Sequence, residues 1–207
     1  MQMSKTMFPL LSIAALRMGT DGNGVTTLVA GAGCPLMCKW CINKKLLQEA
    51  VPEKITAEEL LQRVSSYDLY FRATGGGITF GGGEPLLYAD FIREFREICP
   101  PEWQITAETS LFVPRSYLAA ATDAVDLCIV DCKDMNEEIY RNYTGEDRTV
   151  MSDNLEFLLQ RVGPENVLVR VPGIPGYNTE EDRKSSVQML RDMGVTRLDL
   201  FDYVIRN

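Results

Sequence analysis

Apolar runs of strand length alternate with amphipathic stretches along almost all of this 207-residue chain, which constrains its fold more than any other feature. The runs fall at 25–31, 77–80, 104–108, 127–131, 167–171 and 197–201. Helical patterns lie between them, at 56–65, 88–98, 114–121, 154–161 and 179–192. Two carry their own start signals. Thr56-Ala-Glu-Glu and Thr179-Glu-Glu-Asp each set a hydroxyl cap before acidic first-turn residues, where the helix dipole favours negative charge. Strand and helix alternating about six times means parallel strands joined by right-handed crossovers. Six units fall short of the eight in a closed barrel. The expected fold is therefore α/β, a partial (β/α)6 barrel of parallel strands open on one side, with residues 1–207 forming one domain.

Side-chain parity along the strands points to a polar mouth. In QITAETS, Gln104, Thr106, Glu108 and Ser110 share one face, and Ile105 and Ala107 take the other. Asp131 and Lys133 share a face with Ile129, while Arg170 and Pro172 oppose Val169 and Val171. Polar groups at the carboxyl ends of parallel strands are where such folds place active sites. The alternative is that Glu108, Asp131, Lys133 and Arg170 neutralise one another inside the barrel.

A net charge of −8 argues against nucleic acid or an anionic membrane surface as partner. No apolar run approaches the roughly 20 residues that span a bilayer. Lys5 followed by MFPLLSIAAL faintly resembles a secretory leader, but no small-residue cleavage pattern follows. A reducing cytoplasm is expected, where cysteines serve as metal ligands or buried thiols rather than disulfides.

Cys34, Cys38 and Cys41 fall within eight positions of a chain that has no histidine. Structural zinc wants four ligands, and a fourth would have to come from Cys99, Cys128, Cys132 or a carboxylate. None of these shows a second CxxC spacing, and the parity of Cys128 and Cys132 turns them towards the helices. A 4Fe–4S cubane held by three thiolates remains, with one iron free to bind a small chelating molecule.

CxxxCxxC after a first strand and GGE after a second resemble the radical S-adenosylmethionine superfamily. The nearest likeness within it is to glycyl-radical-enzyme activating enzymes. DGNGV at 21–25, GCPLMCKWCIN at 33–43, GGGITFGGGEPLL at 75–87 and RVPGIPGYN at 170–178 carry that likeness. It implies that Cys34, Cys38 and Cys41 hold three irons of one 4Fe–4S cluster, and that S-adenosylmethionine chelates the fourth. Gly82, Gly83 and Glu84 would meet its methionyl amine. Trp40 and Ile42 would flank the adenine, Glu108 and Ser110 would approach ribose and methionine, and Lys133 beside Asp131 would meet the methionyl carboxylate. Arg170 would complete the polar lining. The implied reaction is reductive cleavage to a 5′-deoxyadenosyl radical, which takes a hydrogen atom from a glycine of a partner glycyl radical enzyme. A flavodoxin or ferredoxin would supply the electron.

The chain departs from the family pattern in reading DGNGVT where members usually have DGPGIR, and in carrying Glu108 where aspartate is common. It has no ferredoxin-like insert between Cys41 and Gly75, so a single cluster is expected. FDYVIRN ends the sequence at the sixth strand, where members usually continue, so an exposed site or a wall supplied by a partner is expected. Two other functions fit the motifs: a radical enzyme acting on a peptide or small metabolite, and a cluster-bearing binding or electron-transfer protein.

Overall fold

The computed structural model describes residues 6–203. Among these, eight strands form one sheet: β1 (Phe8–Met18), β2 (Val25–Gly31), β3 (Glu53–Ile55), β4 (Gly77–Gly82), β5 (Gln104–Thr109), β6 (Leu127–Asp131), β7 (Val167–Gly173) and β8 (Arg197–Asp202). The α-helices of the same residues are α1 (Lys44–Glu49), α2 (Ala57–Val64), α3 (Asp68–Thr74), α4 (Ala89–Ile98), α5 (Arg115–Ala121), α6 (Glu137–Thr144), α7 (Thr149–Val162) and α8 (Glu180–Asp192). The strand order is β3-β1-β2-β4-β5-β6-β7-β8, and β2 and β4 to β8 run parallel. β3 and β8 are the two edges and do not pair, which leaves the barrel open on one side.

The six parallel strands are those expected from the apolar runs. β1 and β3 are additions, and both pair antiparallel. The run that resembled a leader is β1. Its pairing with β2 shifts register between Ala14 and Arg17, around Leu16 with φ +53°, so its polar and apolar positions do not alternate cleanly. Lys5 and residues 204–207 lie outside the described residues.

Alternation along β6 sorts the chain between two environments. Cys128, Val130 and Cys132 join the core beneath the helices with Leu118, Tyr140 and Leu155, as their parity predicted. A second core, under α2 to α4, mixes aliphatic side chains with a cluster of aromatic rings. Phe8 stacks on Phe91 at 4.9 Å, Phe71 meets Trp103 edge-on at 4.9 Å, and Trp103 donates through Nε1 to Asp68. Cys99 belongs to this core, as an ordinary buried thiol.

The loop before β2 closes the amino-terminal end of the barrel. Thr79 donates its hydroxyl to the Asp21 carbonyl, Gly22 packs against Thr106, and Arg170 reaches the Thr20 carbonyl. The carboxyl ends of the strands are left as the accessible mouth.

Candidate functional site

The loop after β2 carries the three cysteines across this mouth. Two backbone hydrogen bonds fasten it to the end of α6: Met37 N–H donates to the Thr144 carbonyl at 2.9 Å and Lys39 N–H to the Tyr143 carbonyl at 3.1 Å. The turn after β4 docks against it. Gly83 N–H donates to the Gly31 carbonyl and Glu84 N–H to the Gly33 carbonyl, at 3.0 and 2.8 Å, and Asn43 donates to the Gly82 carbonyl at 2.7 Å. A Cβ on Gly83 would overlap the Gly33 carbonyl oxygen, so this approach requires glycine. The glycines therefore join two loops backbone to backbone, a role the sequence did not reveal.

Cys34 is exposed at the rim, and Cys38 and Cys41 are half-buried. Desolvation around its sulfur pushes the Cys34 thiol up to about 11; the nearby Glu84, Cys38 and Cys41 add to this. Desolvation also raises Cys38, against the pull of Lys133. Among the described residues no three cysteine, aspartate or glutamate side chains close on a single metal ion. A cubane gives each thiolate its own iron, so its ligands stand apart instead of gathering round one atom. Three thiols in mutual range on one loop, with no imidazole anywhere in the chain, fit that group. Cys128 and Cys132 are different: burial pushes both up to about 12, and they face the core.

Glu84 is buried at 1% exposure, and its carboxylate is fully engaged within the fold. One oxygen accepts from the Thr109 hydroxyl at 2.7 Å and Leu86 N–H at 3.3 Å. The other accepts from Ser110 N–H at 2.9 Å and the Ser110 hydroxyl at 2.7 Å. Four donors use all the acceptor positions a carboxylate offers. Burial raises its pKa above the usual range, against these four donors. Glu84 and Ser110, which the sequence assigned to a ligand, bind each other across the mouth.

The remaining charges neutralise in pairs, the alternative that strand parity left open. Arg170 meets Glu108 at 2.8 Å and Asp199 at 3.5 Å. Burial pushes the Glu108 carboxyl up and Arg170 pulls it back. Lys133 donates to Asp131 at 3.0 Å and to the Tyr203 hydroxyl at 3.2 Å. Burial works against the charge on Lys133, but Asp131, Tyr203 and Cys38 outweigh it and hold its pKa well above the usual lysine range. Lys133 is therefore an ammonium beside the cysteine loop.

Trp40 donates to the Pro175 carbonyl at 3.3 Å, joining the cysteine loop to the loop after β7. The Ile42 side chain is 96% exposed and faces solvent. A network that the sequence did not announce holds the neighbouring loops. Asp134 accepts from Ser186, Asn136 N–H and Asn178, while Asn178 also accepts from Ile174 N–H and donates to the Pro172 carbonyl. Asn178 lies in the PGYN segment, which gave the only hint of it.

Residues 28–197, which include the cysteine loop and the glycine turn, match a known family model, the Radical SAM superfamily. The chain belongs to this superfamily. Membership makes it a radical SAM enzyme and implies a 4Fe–4S cluster and S-adenosylmethionine. The pyruvate formate-lyase 1-activating enzyme of Escherichia coli K12 is 29% identical over 188 residues, covering 88% of this chain and 76% of that one. The pyruvate formate-lyase-activating enzyme of Clostridium pasteurianum is also 29% identical over 188 residues, covering 88% and 77%. Among solved structures, Streptococcus suis SuiB bound to S-adenosylmethionine superposes with a TM-score of 0.65 at 13% identity, covering 84% of this chain. The radical SAM chain described here spans 39% of SuiB's length, and the likeness is one of fold.

Proposed function

We propose that this radical SAM enzyme activates a glycyl radical enzyme by abstracting a hydrogen atom from one of its glycines. The observation that carries this reading is the placement of three thiols on one loop at the mouth of an open-sided barrel, in a chain similar over 88% of its length to pyruvate formate-lyase-activating enzymes.

Cys34, Cys38 and Cys41 would hold three irons and leave a fourth to S-adenosylmethionine. When bound, the cluster supplies one electron that cleaves the sulfonium and frees a 5′-deoxyadenosyl radical for hydrogen abstraction. The protein binds, orients and excludes water, and needs no general base for that step. Lys133 would turn from Asp131 to the methionyl carboxylate, exchanging one charge-assisted contact for another. Glu108, with Arg170 behind it, would face the ribose. Glu84 would act by fixing Ser110, and the amine would be met by backbone carbonyls of the Gly82–Gly83 turn. Trp40 and the backbone at Ile42 would border the adenine. The open side of the barrel would admit an extended segment of the partner.

An acidic flavodoxin or ferredoxin would donate the electron, in a reducing, oxygen-poor cytoplasm. The test is anaerobic. Reconstituted protein, reductant, S-adenosylmethionine and a glycyl radical enzyme encoded beside it are combined, and the electron paramagnetic resonance spectrum is recorded. A glycyl doublet on the partner, with 5′-deoxyadenosine released in step, is the expected result. Release of 5′-deoxyadenosine without any doublet would overturn the reading.

A further inference from the structure

The segment leaving β5 contains a contradiction that one buried side chain resolves. Leu111 has φ +58°, the left-handed region that a leucine rarely adopts, and is fully buried. Such a conformation persists only where its surroundings over-determine it. Here the Leu111 N–H donates to the Thr109 hydroxyl at 2.9 Å, and the Leu111 carbonyl accepts from Val113 N–H at 3.0 Å. Asn154, 2% exposed on α7, supplies the rest: its Nδ2 donates to the carbonyls of Leu111 and Val113, at 2.8 Å each. The amide cannot turn over, because Arg115 Nε donates to its Oδ1 at 2.7 Å. Arg115 is in turn held by the Asp153 carbonyl at 2.8 Å and lies over the Phe157 ring.

The clamped segment leads into the mouth. Thr109 and Ser110 immediately precede Leu111, and together they supply three of the four donors on Glu84. Glu84 in turn sits at the end of the glycine turn docked on the cysteine loop. A change at residue 111 is therefore transmitted to both loops through hydrogen bonds already formed. We propose that Asn154 is a positioning residue for S-adenosylmethionine: it holds residues 109–113 in a conformation the leucine would otherwise leave, and so presets the ligand-facing rim. It touches no ligand itself. The proposal rests on radical SAM membership and is independent of which molecule loses the hydrogen atom.

The experiment titrates S-adenosylmethionine into reduced, cluster-loaded protein and follows the change in the cluster's paramagnetic resonance spectrum. Asn154→Ala should raise the half-saturating concentration about tenfold, the effect of losing hydrogen bonds worth roughly one decade in affinity. Iron per chain should stay unchanged, and faster amide hydrogen exchange should be confined to residues 109–113. Glycine adopts the left-handed backbone without a clamp. In a Leu111→Gly background the same Asn154→Ala change should therefore cost about threefold or less. Arg115→Ala, an exposed change, frees the amide to rotate and keeps the question open to measurement if Asn154→Ala does not fold; it should raise the half-saturating concentration about threefold. Wild-type affinity in Asn154→Ala, an equal loss in both backgrounds, or wild-type affinity in Arg115→Ala where that is the only variant measurable, would each overturn the proposal.

Discussion

At Gly83 the smallest change has a large expected effect. The Gly33 carbonyl oxygen fills the space that a methyl group would need, and both residues sit in backbone with little freedom to move. Gly83→Ala should separate the β4 turn from the cysteine loop, lowering stability by about 3 kcal/mol. Retained iron should fall with it, which thermal denaturation and iron analysis would show together. The cysteines give a second comparison. Cys38→Ala should abolish cluster loading, and Cys128→Ala should leave iron content near that of the unaltered protein, since Cys128 is buried among Leu118, Leu155 and Val167. Equal iron loss in both would show that strand parity does not separate ligands from core thiols. Parity did put Glu108, Asp131, Lys133 and Arg170 on one face, where Glu108 meets Arg170 and Asp131 meets Lys133. Their pairing could not be read from it, because Arg170 and Glu108 lie 62 positions apart and only the barrel's curvature brings them together. The saturation of Glu84 was hidden for the same reason. A GGE motif announces its glycines, but the donors on Glu84 come mainly from a different strand.

At the scale of elements, caps and periodicity carried most of the information. Thr56 and Thr179 both form complete capping boxes, with Glu59 and Asp182 respectively. Thr179→Ala should cost about 1 kcal/mol, or roughly 3 °C in the melting temperature of a chain this size. Little change in iron loading should accompany it, because α8 packs on β7 and carries no cysteine. The six parallel strands were legible because each is a short apolar run bounded by polar turns. β1 was not, since its bulge at Leu16 breaks the two-residue period, and the three residues of β3 are too few to show one. α6 escaped because its buried face is made of Tyr140, Tyr143 and Thr144, residues that read as ambivalent in sequence. α7 begins at Thr149, not at 154, extended by a first turn without an acidic start signal. The Leu111 conformation had no sequence signature, as a glycine would have given.

Across the whole molecule, charge is unevenly placed. Residues 33–47 hold Lys39, Lys44 and Lys45 and no carboxylate, in a chain whose net charge is −8. All three are exposed, next to the apolar side chains of Met37 and Ile42, at 79% and 96% exposure. A basic segment on an otherwise acidic molecule would favour encounter at this face with the acidic electron carrier proposed above, although Lys45 also lies 4.0 Å from Glu49. Reversing the three lysines to glutamate should slow reduction by such a carrier about tenfold at low ionic strength and remove its salt sensitivity. Reduction by dithionite should be unchanged, which stopped-flow spectroscopy can compare directly.

The two bonds from Met37 and Lys39 to the end of α6 bear on how the enzyme is assembled and repaired. They anchor the cysteine-bearing segment to α6, a helix capped by Asn136 and seated by the buried Tyr140 and Tyr143, none of them a cysteine ligand, so this anchor is expected to form before iron arrives. Oxygen damage that strips the irons would then leave an empty but intact socket. Metal-depleted protein should melt within a few degrees of the loaded form, and anaerobic resupply of iron and sulfide should restore the chromophore without a refolding lag.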